Sequence, residues 1–153
     1  MSTVDERLAA MGLSVPEVSV PVAAYVPAVV SGRYVFTSGQ LPFVAGQLLD
    51  TGKVGGDVTP ERAAELAAVC ALNGIAAIKS VIDLDSVVRV VKVVGFVAST
   101  ADFTGQPGVI NGASNLLKEA FGEAGVHARS AVGVASLPLD SPVEVEMIVE
   151  FAD

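Results

Sequence analysis

Hydrophobic and polar positions near the C-terminus alternate in the way that β-strands require. Between residues 142 and 151, apolar side chains share one face and the other face is mainly glutamate. The preceding run, residues 127–138, is small and apolar apart from its first residues. A Pro/Asp/Ser cluster at residues 138–141 separates the two runs and is typical of a chain reversal. The pattern predicts two strands joined as a terminal hairpin.

Earlier segments predict a second hairpin and two long helices. Two apolar runs, 21–30 and 33–42, flank Ser31-Gly32, which is the pattern of a tight hairpin turn. Thr59 is a predicted N-cap, with proline at the first helical position, for a helix that runs to about residue 82. A second helix is predicted from about residue 107 or 109 to Phe121, where glycines close it.

The remaining elements complete an α+β order. Residues 5–11 predict a short helix, and the glycine-rich segment 43–56 predicts a long surface loop or a small hairpin. The valine-rich run 87–97 predicts a central strand buried on both faces for much of its length. The order strand, strand, helix, strand, helix, strand, strand predicts a single, mostly antiparallel sheet with both long helices on one face.

The composition adds the prediction that the chain associates with copies of itself. The 153 residues suit one domain, 1–153, and 52% of them are hydrophobic while only 17% are charged. An average soluble chain carries about 25% charged residues. A surface with so few charges, together with a second apolar sheet face that the helices leave uncovered, predicts a homo-oligomer with an apolar interface.

Net charge and hydropathy argue against nucleic-acid and membrane partners. The net charge is −8 at pH 7, and no basic cluster interrupts the acidic balance. Arg89 and Lys92 break the longest apolar runs, so no membrane-spanning segment is expected. The first residues lack the basic and apolar regions of a signal peptide, and we therefore expect a cytoplasmic protein.

The sequence lacks the residues that several classes of catalytic site require. Cys70 is the single cysteine and lies in an alanine-rich helix, where an inert buried thiol is the favoured interpretation over a nucleophile. His127 is the single histidine, so neither a metal set nor a Ser-His-Asp arrangement is predicted. No dinucleotide-binding fingerprint follows a strand. We expect no cofactor.

Arg129 is the residue for which the sequence most directly suggests a functional role. It enters an apolar strand, where an unmatched buried charge would cost several kcal/mol. One interpretation is an ion pair with Glu144 or Glu146 across the predicted hairpin. The other is an anion site, in which the guanidinium binds a substrate carboxylate through two parallel hydrogen bonds. Ala131 and Gly133, on the same strand face, would leave room for a small ligand.

A set of short motifs, spread from Val20 to Phe151 in a fixed order, carries a family resemblance. They are Tyr25, the segment Phe36-Thr37-Ser38-Gly39-Gln40-Leu41-Pro42, Asn111, Ala128-Arg129-Ser130, Leu137-Pro138 and Val143-Glu144-Val145-Glu146. With them the chain resembles the Rid family, the YjgF-like deaminases of reactive imines and enamines that are also called endoribonuclease L-PSP or translation inhibitors. An N-terminal extension, residues 1–19, and a longer loop at 46–56 resemble a longer subgroup.

The resemblance implies a chorismate-mutase-like fold and a homotrimer with a cleft between each pair of subunits. It implies cofactor-free hydrolysis of 2-imino acids, such as 2-iminobutanoate and 2-iminopropanoate, to 2-oxo acids and ammonia. Arg129 matches the arginine that binds the substrate carboxylate, and Glu144 matches the acid that assists the attacking water. The pocket-lining positions are matched by Tyr25, Ser38, Gly39 and Asn111, with Ala131 beside Arg129.

Two positions depart from the family pattern. Ala131 stands where the family often has cysteine, and His127 stands where it often has proline. His127 either lines the mouth of the cleft and exchanges protons or makes only a local hydrogen bond, and the local role is favoured. Two alternatives to the deaminase also remain: a trimer that binds small carboxylates without chemistry, and, less favoured, a ribonuclease or translation inhibitor.

Overall fold

The computed structural model describes residues 3–18, 21 and 23–153. Three helices and seven strands are assigned in this part of the chain. The helices are α1 (Val4–Ala10), α2 (Pro60–Lys79) and α3 (Gln106–Phe121). The strands are β1 (Ala28–Ser31), β2 (Tyr34–Thr37), β3 (Phe43–Val44), β4 (Gln47–Leu48), β5 (Val87–Ala98), β6 (Ala128–Val134) and β7 (Val143–Phe151). Of the predicted N-terminal extension, residues 1–19, the structure describes residues 3–18, and residues 1, 2 and 19 lie outside the described part.

Five strands form one sheet in the order β1-β2-β7-β5-β6. All neighbouring pairs in it are antiparallel except β5 and β6, which are parallel. The predicted hairpin between β1 and β2 is confirmed, with Ser31 paired to Tyr34 and Gly32 at a φ of 60° in the turn. Glycine tolerates this left-handed backbone better than other residues do. The predicted α+β class with a mixed, mostly antiparallel sheet is therefore correct.

The predicted terminal hairpin is wrong, because β5 lies between β6 and β7. Val97 pairs with Gly133 on one side and with Val143 on the other. The turn residues do reverse the chain, with Leu139 and Asp140 at φ values of 59° and 58°. The reversal carries the chain across the end of β5, where Ala98 N donates to Pro142 O at 2.9 Å. Turn chemistry predicts a change of direction, but it does not identify the strand beside which the chain returns.

Helices α2 and α3 pack together on one face of the sheet, as predicted. Thr59 caps α2 by accepting a hydrogen bond from Arg62 N at 3.1 Å. Glycines allow the closest approaches: a Cβ on Gly112 of α3 would overlap the carbonyl oxygen of Ala64 in α2. A Cβ on Gly95 of β5 would meet Ile110 of α3. The core lies between this helical layer and the sheet.

The other sheet face carries apolar side chains that no helix covers. Its exposed members are Val29, Tyr34, Phe36 and Val132, and its half-buried members are Val94, Phe96 and Ile148. The prediction that β5 is buried on both faces is therefore wrong for the single chain. The valine-rich sequence of β5 makes both faces of the strand apolar, but the helices pack against only one of them.

The glycine-rich segment 43–56 forms the small hairpin that was one of its two predicted forms. Strands β3 and β4 pair through Phe43 with Leu48 and Val44 with Gln47. The following loop is fastened at two points. Arg62 forms an ion pair with Asp50 at 2.8 Å, and buried Val54 accepts from Thr100 N at 3.0 Å.

Candidate active site

Arg129 lies on the helical face of the sheet and is held by two neutral side chains of α3. It pairs in register with Val93, a fully buried residue of β5. Its Nη1 donates to Asn111 Oδ1 at 2.7 Å and to Ser114 Oγ at 3.2 Å. Asn111 and Ser114 are three residues apart and so share one side of α3. These contacts orient the guanidinium without neutralising it.

No ion pair within the described ranges includes Arg129. An ion pair with Glu144 or Glu146 across a hairpin does not form, because β5 separates the strands that carry these residues. Both described hydrogen bonds of the guanidinium use Nη1, so Nε and Nη2 keep their donors for another acceptor. A half-buried guanidinium with two spare N–H directions can bind a carboxylate in the bidentate manner.

A second group of matched residues lies around the end of β2. Tyr25, Ser38 and Gly39 line a pocket of about 130 Å³. The Ser38 hydroxyl donates to Val26 O at 2.6 Å, and Ser38 N donates to Pro27 O at 2.8 Å. These bonds hold the Tyr25 segment against β2, although the tyrosine side chain itself is 58% exposed. The pocket lining includes the polar residues Gln40 and Asn73 as well as the solvent-exposed Tyr25.

Glu144 of β7 belongs to this second group and is packed against Gly39. A Cβ on Gly39 would overlap Glu144 Oε2, so the absence of a side chain there makes space for the carboxylate. Burial raises the pKa of Glu144 above the ordinary value of 4.5, and repulsion from Glu146 raises it further. The shift favours the protonated acid and brings its proton exchange closer to neutral pH.

The two groups do not form one site within a single chain. Arg129 lies on the row Arg129–Val93–Met147, and Glu144 is three residues further along β7. With about 3.3 Å per residue and 4.8 Å between strands, their Cα atoms are roughly 14 Å apart. Glu144 pairs with Phe96 on the open face, whereas Arg129 contacts α3 on the helical face. The sheet itself stands between the two side chains.

The positions beside Arg129 on β6 leave less room than the sequence suggested. Ala131 packs against the hydrophobic core. The space next to Gly133 is filled, since a Cβ there would lie 2.8 Å from Gln106 Nε2 and 3.0 Å from Ser99 Oγ. The open space lies instead towards the start of β6. There Arg129 and His127 line a groove of about 230 Å³ together with residues of α3.

His127 makes the local hydrogen bond that the sequence analysis favoured, and it also lines the groove beside Arg129. Its Nδ1 lies 2.9 Å from Ala128 O, and the carbonyl requires a donor at that nitrogen. The imidazole also lines the groove beside Arg129. Burial lowers the pKa of His127 from its ordinary value, and the positive charge of Arg129 lowers it further. The ring is therefore favoured in its neutral form, with Nε2 as an acceptor.

Ser114 and Lys118 contribute to the groove and were missed in the sequence. Ser114 is a direct partner of Arg129, and Lys118 lies one helical turn further along α3. Their spacing from Asn111, a position matched to the family, could have indicated them. Residues three, four and seven positions apart share a helix face, and Ser114 and Lys118 follow Asn111 by three and seven residues. Cys70, by contrast, is as expected, because it is fully buried and burial raises the pKa of its thiol.

Comparison with known proteins identifies the family. Residues 5–151 match the family model described as "YjgF/chorismate_mutase-like, putative endoribonuclease". The chain belongs to the YjgF-like, or Rid, family. Protein TCP17 of Trypanosoma cruzi is 43% identical over 148 residues, which cover 94% of this chain and 91% of TCP17. The predicted family membership is confirmed.

Solved structures agree with the family fold. Protein Atu1372 of Agrobacterium tumefaciens, described as having unknown function, is 44% identical with a TM-score of 0.92, over 97% of this chain and 92% of its own. TdcF of E. coli, solved with bound serine, is 25% identical with a TM-score of 0.59, over 89% of this chain and 94% of its own. None of the helices in the described ranges is both long enough and apolar enough to cross a bilayer.

Proposed function

We propose that this Rid-family chain is a cofactor-free deaminase of small 2-imino acids, and that it works as a homotrimer with one reaction cleft between each pair of subunits. In this reaction, water adds to the imine carbon, the carbon–nitrogen bond of the resulting carbinolamine breaks, and a 2-oxo acid and ammonia leave. The observation that carries the proposal is Arg129, a guanidinium held by Asn111 and Ser114 with no described carboxylate paired to it.

Arg129 binds the substrate carboxylate in this mechanism. Its Nε and Nη2 donate two parallel hydrogen bonds, and the Nη1 bonds to α3 keep the plane of the guanidinium fixed. Fixing the carboxylate fixes the adjacent imine carbon, which reduces the entropy cost of reaching the geometry of attack. The serine bound to E. coli TdcF supports a ligand of this size with a 2-amino-acid carboxylate.

Glu144 assists the attacking water. Its raised pKa suits a group that accepts a proton from water and returns it to the departing nitrogen. Positioned acid–base assistance of this kind contributes about 10²–10⁴-fold in rate. An imine carbon is already electrophilic, so orientation by Arg129 and proton exchange at Glu144 are the two contributions required of the protein.

The trimer is proposed because the two halves of the site lie apart in one chain. Arg129 and Asn111 face the helical side near the sheet edge, whereas Glu144, Gly39 and Tyr25 lie on the open side or beyond the end of β2. In the proposed trimer, the Arg129 half of one subunit lies beside the Glu144 half of the next, so that the cleft between them holds the complete site. The exposed aromatic residues of that face also favour burial between copies, because burying them removes apolar surface from water.

The rival functions make different demands on the same surface. A trimer that only binds carboxylates needs Arg129 but gains nothing from a carboxyl group with a raised pKa at Glu144. A ribonuclease is favoured by the family description, yet a net charge of −8 works against binding a polyanion. The cationic groups around Arg129 form a small groove rather than a track for a phosphate backbone.

The direct test generates 2-iminopropanoate and 2-iminobutanoate in place with an amino-acid oxidase and traps unreacted imine with semicarbazide. The wild-type protein is expected to suppress the trapped product. Arg129→Ala is expected to lose at least about 10²-fold of this activity, because the carboxylate is no longer positioned. Arg33→Ala removes the same charge at the exposed β1–β2 turn and is expected to leave the activity intact.

Two results would contradict the proposal. The first is a wild-type protein that leaves the trapped product unchanged with both imines. The second is an Arg129→Ala variant as active as the wild type, which would show that the guanidinium does not position the substrate. Circular dichroism of both arginine variants controls for loss of fold.

A further inference from the structure

The groove beside Arg129 is cationic in an acidic protein. It is lined by Ser114, Asn115, Lys118, Gly125, Val126, His127 and Arg129, and has a volume of about 230 Å³. Two of the nine lysines and arginines of the chain are in this lining, and none of its seventeen carboxylates is. The groove extends from the guanidinium that the proposed function assigns to the substrate carboxylate.

Lys118 is the second cation of this groove. It is exposed, and within the described ranges no ion pair includes it. Its backbone is fixed by a close approach of the chain after α3: a Cβ on Gly125 would lie 3.0 Å from Lys118 Cα. The lysine therefore projects from a well-defined position rather than from a frayed helix end.

The spacing along α3 sets the distance between the two cations. Ser114 bonds to Arg129, and Lys118 follows Ser114 by four residues, or about 6 Å along the helix axis. Side chains on a helix generally lean towards its N-terminus, which for Lys118 is the direction of Ser114 and the guanidinium, and both cations line the same groove. The ammonium and the guanidinium thus bracket a space suited to two anionic groups separated by a few carbon atoms.

We propose that Lys118 binds a second carboxylate of the substrate, so that the substrates preferred by this chain are 2-imino dicarboxylic acids. The inference rests on the proposed function in taking Arg129 as the clamp for the first carboxylate. A single ammonium matches a single carboxylate, and the amide of Asn115, which lines the same groove, offers a further donor. A short apolar imine would leave Lys118 without a partner and would gain nothing from the groove.

Binding of the stable 2-oxo acid products tests the inference without requiring turnover. Isothermal titration would compare 2-oxoglutarate, which has two carboxylates, with 2-oxobutyrate, which has one. We expect the wild-type protein to bind 2-oxoglutarate at least about tenfold more tightly, the typical effect of one charge-assisted hydrogen bond. Lys118→Gln should remove this preference and leave 2-oxobutyrate binding unchanged.

Two further variants separate a specific contact from a general charge effect. Lys79→Gln removes one positive charge from an exposed lysine outside the groove and is expected to keep the preference. Lys118→Arg retains a donor and is expected to restore most of it. A wild-type protein that binds 2-oxoglutarate no more tightly than 2-oxobutyrate, including one that binds neither, overturns the inference. So does a Lys118→Gln variant that keeps the full preference.

The imine assay then distinguishes this inference from the proposed function. Run with the imines of glutamate and of 2-aminobutyrate, it should show a kcat/KM at least about tenfold higher for the dicarboxylate, a ratio lost in Lys118→Gln. Hydrolysis of both imines with no preference supports the deaminase and overturns the role of Lys118. Preferential binding of 2-oxoglutarate without hydrolysis of either imine supports the role of Lys118 and overturns the deaminase.

Discussion

Gly39 has no side chain, and the carboxylate of Glu144 occupies the space that a side chain at this position would need. Its backbone is not in the left-handed region, so what requires glycine here is space rather than conformation. The atom that a new Cβ would displace is the far end of a flexible glutamate. A methyl group at this position therefore moves the proposed catalytic acid while leaving the backbone free to keep its place.

Gly39→Ala is expected to lower imine hydrolysis by about 10²-fold, since small displacements of a catalytic group have large effects on rate. The thermal midpoint should change little. The decisive comparison is a double-mutant cycle with Glu144→Gln, measured as kcat/KM. If Gly39 acts through Glu144, the alanine should cost almost nothing further in the Glu144→Gln background. Independent, additive losses in the double variant would show that Gly39 acts in another way.

At the residue scale, the sequence singled out Arg129 and Asn111 as candidate site residues. It did not predict the hydrogen bond that joins them. An arginine in an apolar strand needs acceptors, and this reasoning singled out Arg129. The acceptors proved to be Asn111 and Ser114 on a helix rather than a carboxylate on a neighbouring strand. Their proximity depends on how α3 docks against β6, and no local pattern in the sequence specifies that docking.

At the element scale, the spacing of α2 and α3 determines where Asn111 and Ser114 meet Arg129. Gly112, between them in sequence, lies so close to Ala64 of α2 that a Cβ would overlap its carbonyl oxygen. Backbone atoms cannot rotate aside as a side chain can. Any larger residue must push the two helices apart and shift the side of α3 that holds the guanidinium.

Gly112→Ala is expected to destabilise the fold by about 1–3 kcal/mol, the usual cost of overpacking, although alanine is the better helix former. Gly108→Ala in the first turn of the same helix is a matched control, because nothing lies within 4 Å of the added methyl group. It should be neutral or more stable by up to about 1 kcal/mol. Urea denaturation at one protein concentration measures both, and equal midpoints for the two variants would contradict the packing explanation.

Local elements were predicted better than their arrangement. The Thr59 cap and the Ser31-Gly32 turn act within a few residues. Helix α2 starts as predicted and ends slightly early at Lys79, and the first hairpin forms with shorter strands than predicted. The pairing of β6 with β5 depends on a parallel crossover through α3, which involves contacts distant in sequence. The turn at residues 138–141 resembled a hairpin because a turn has the same local chemistry whether or not its flanking strands become neighbours.

At the scale of the whole molecule, composition and structure both indicate an apolar surface that is suited to an interface. The low charged fraction predicted an apolar interface, and the sheet has an uncovered face with Phe36 and Tyr34 exposed. The separation of Arg129 from Glu144 gives the proposed trimer a functional reason, because the proposed site would be complete only between subunits. Sequence motifs suggested which residues belong together, but only the sheet order shows that one chain keeps them apart.

Mixed trimers test this division of the site most directly. Arg129→Ala and Glu144→Gln chains would be co-expressed with different affinity tags, and trimers carrying both tags would be isolated and assayed for imine hydrolysis. If each cleft takes Arg129 from one subunit and Glu144 from the next around a closed ring, every mixed trimer contains one intact cleft. Mixed trimers should then recover about one third of wild-type activity, while each parent variant stays at its own low level. Mixed trimers no more active than the average of the two parents would contradict a site shared between subunits.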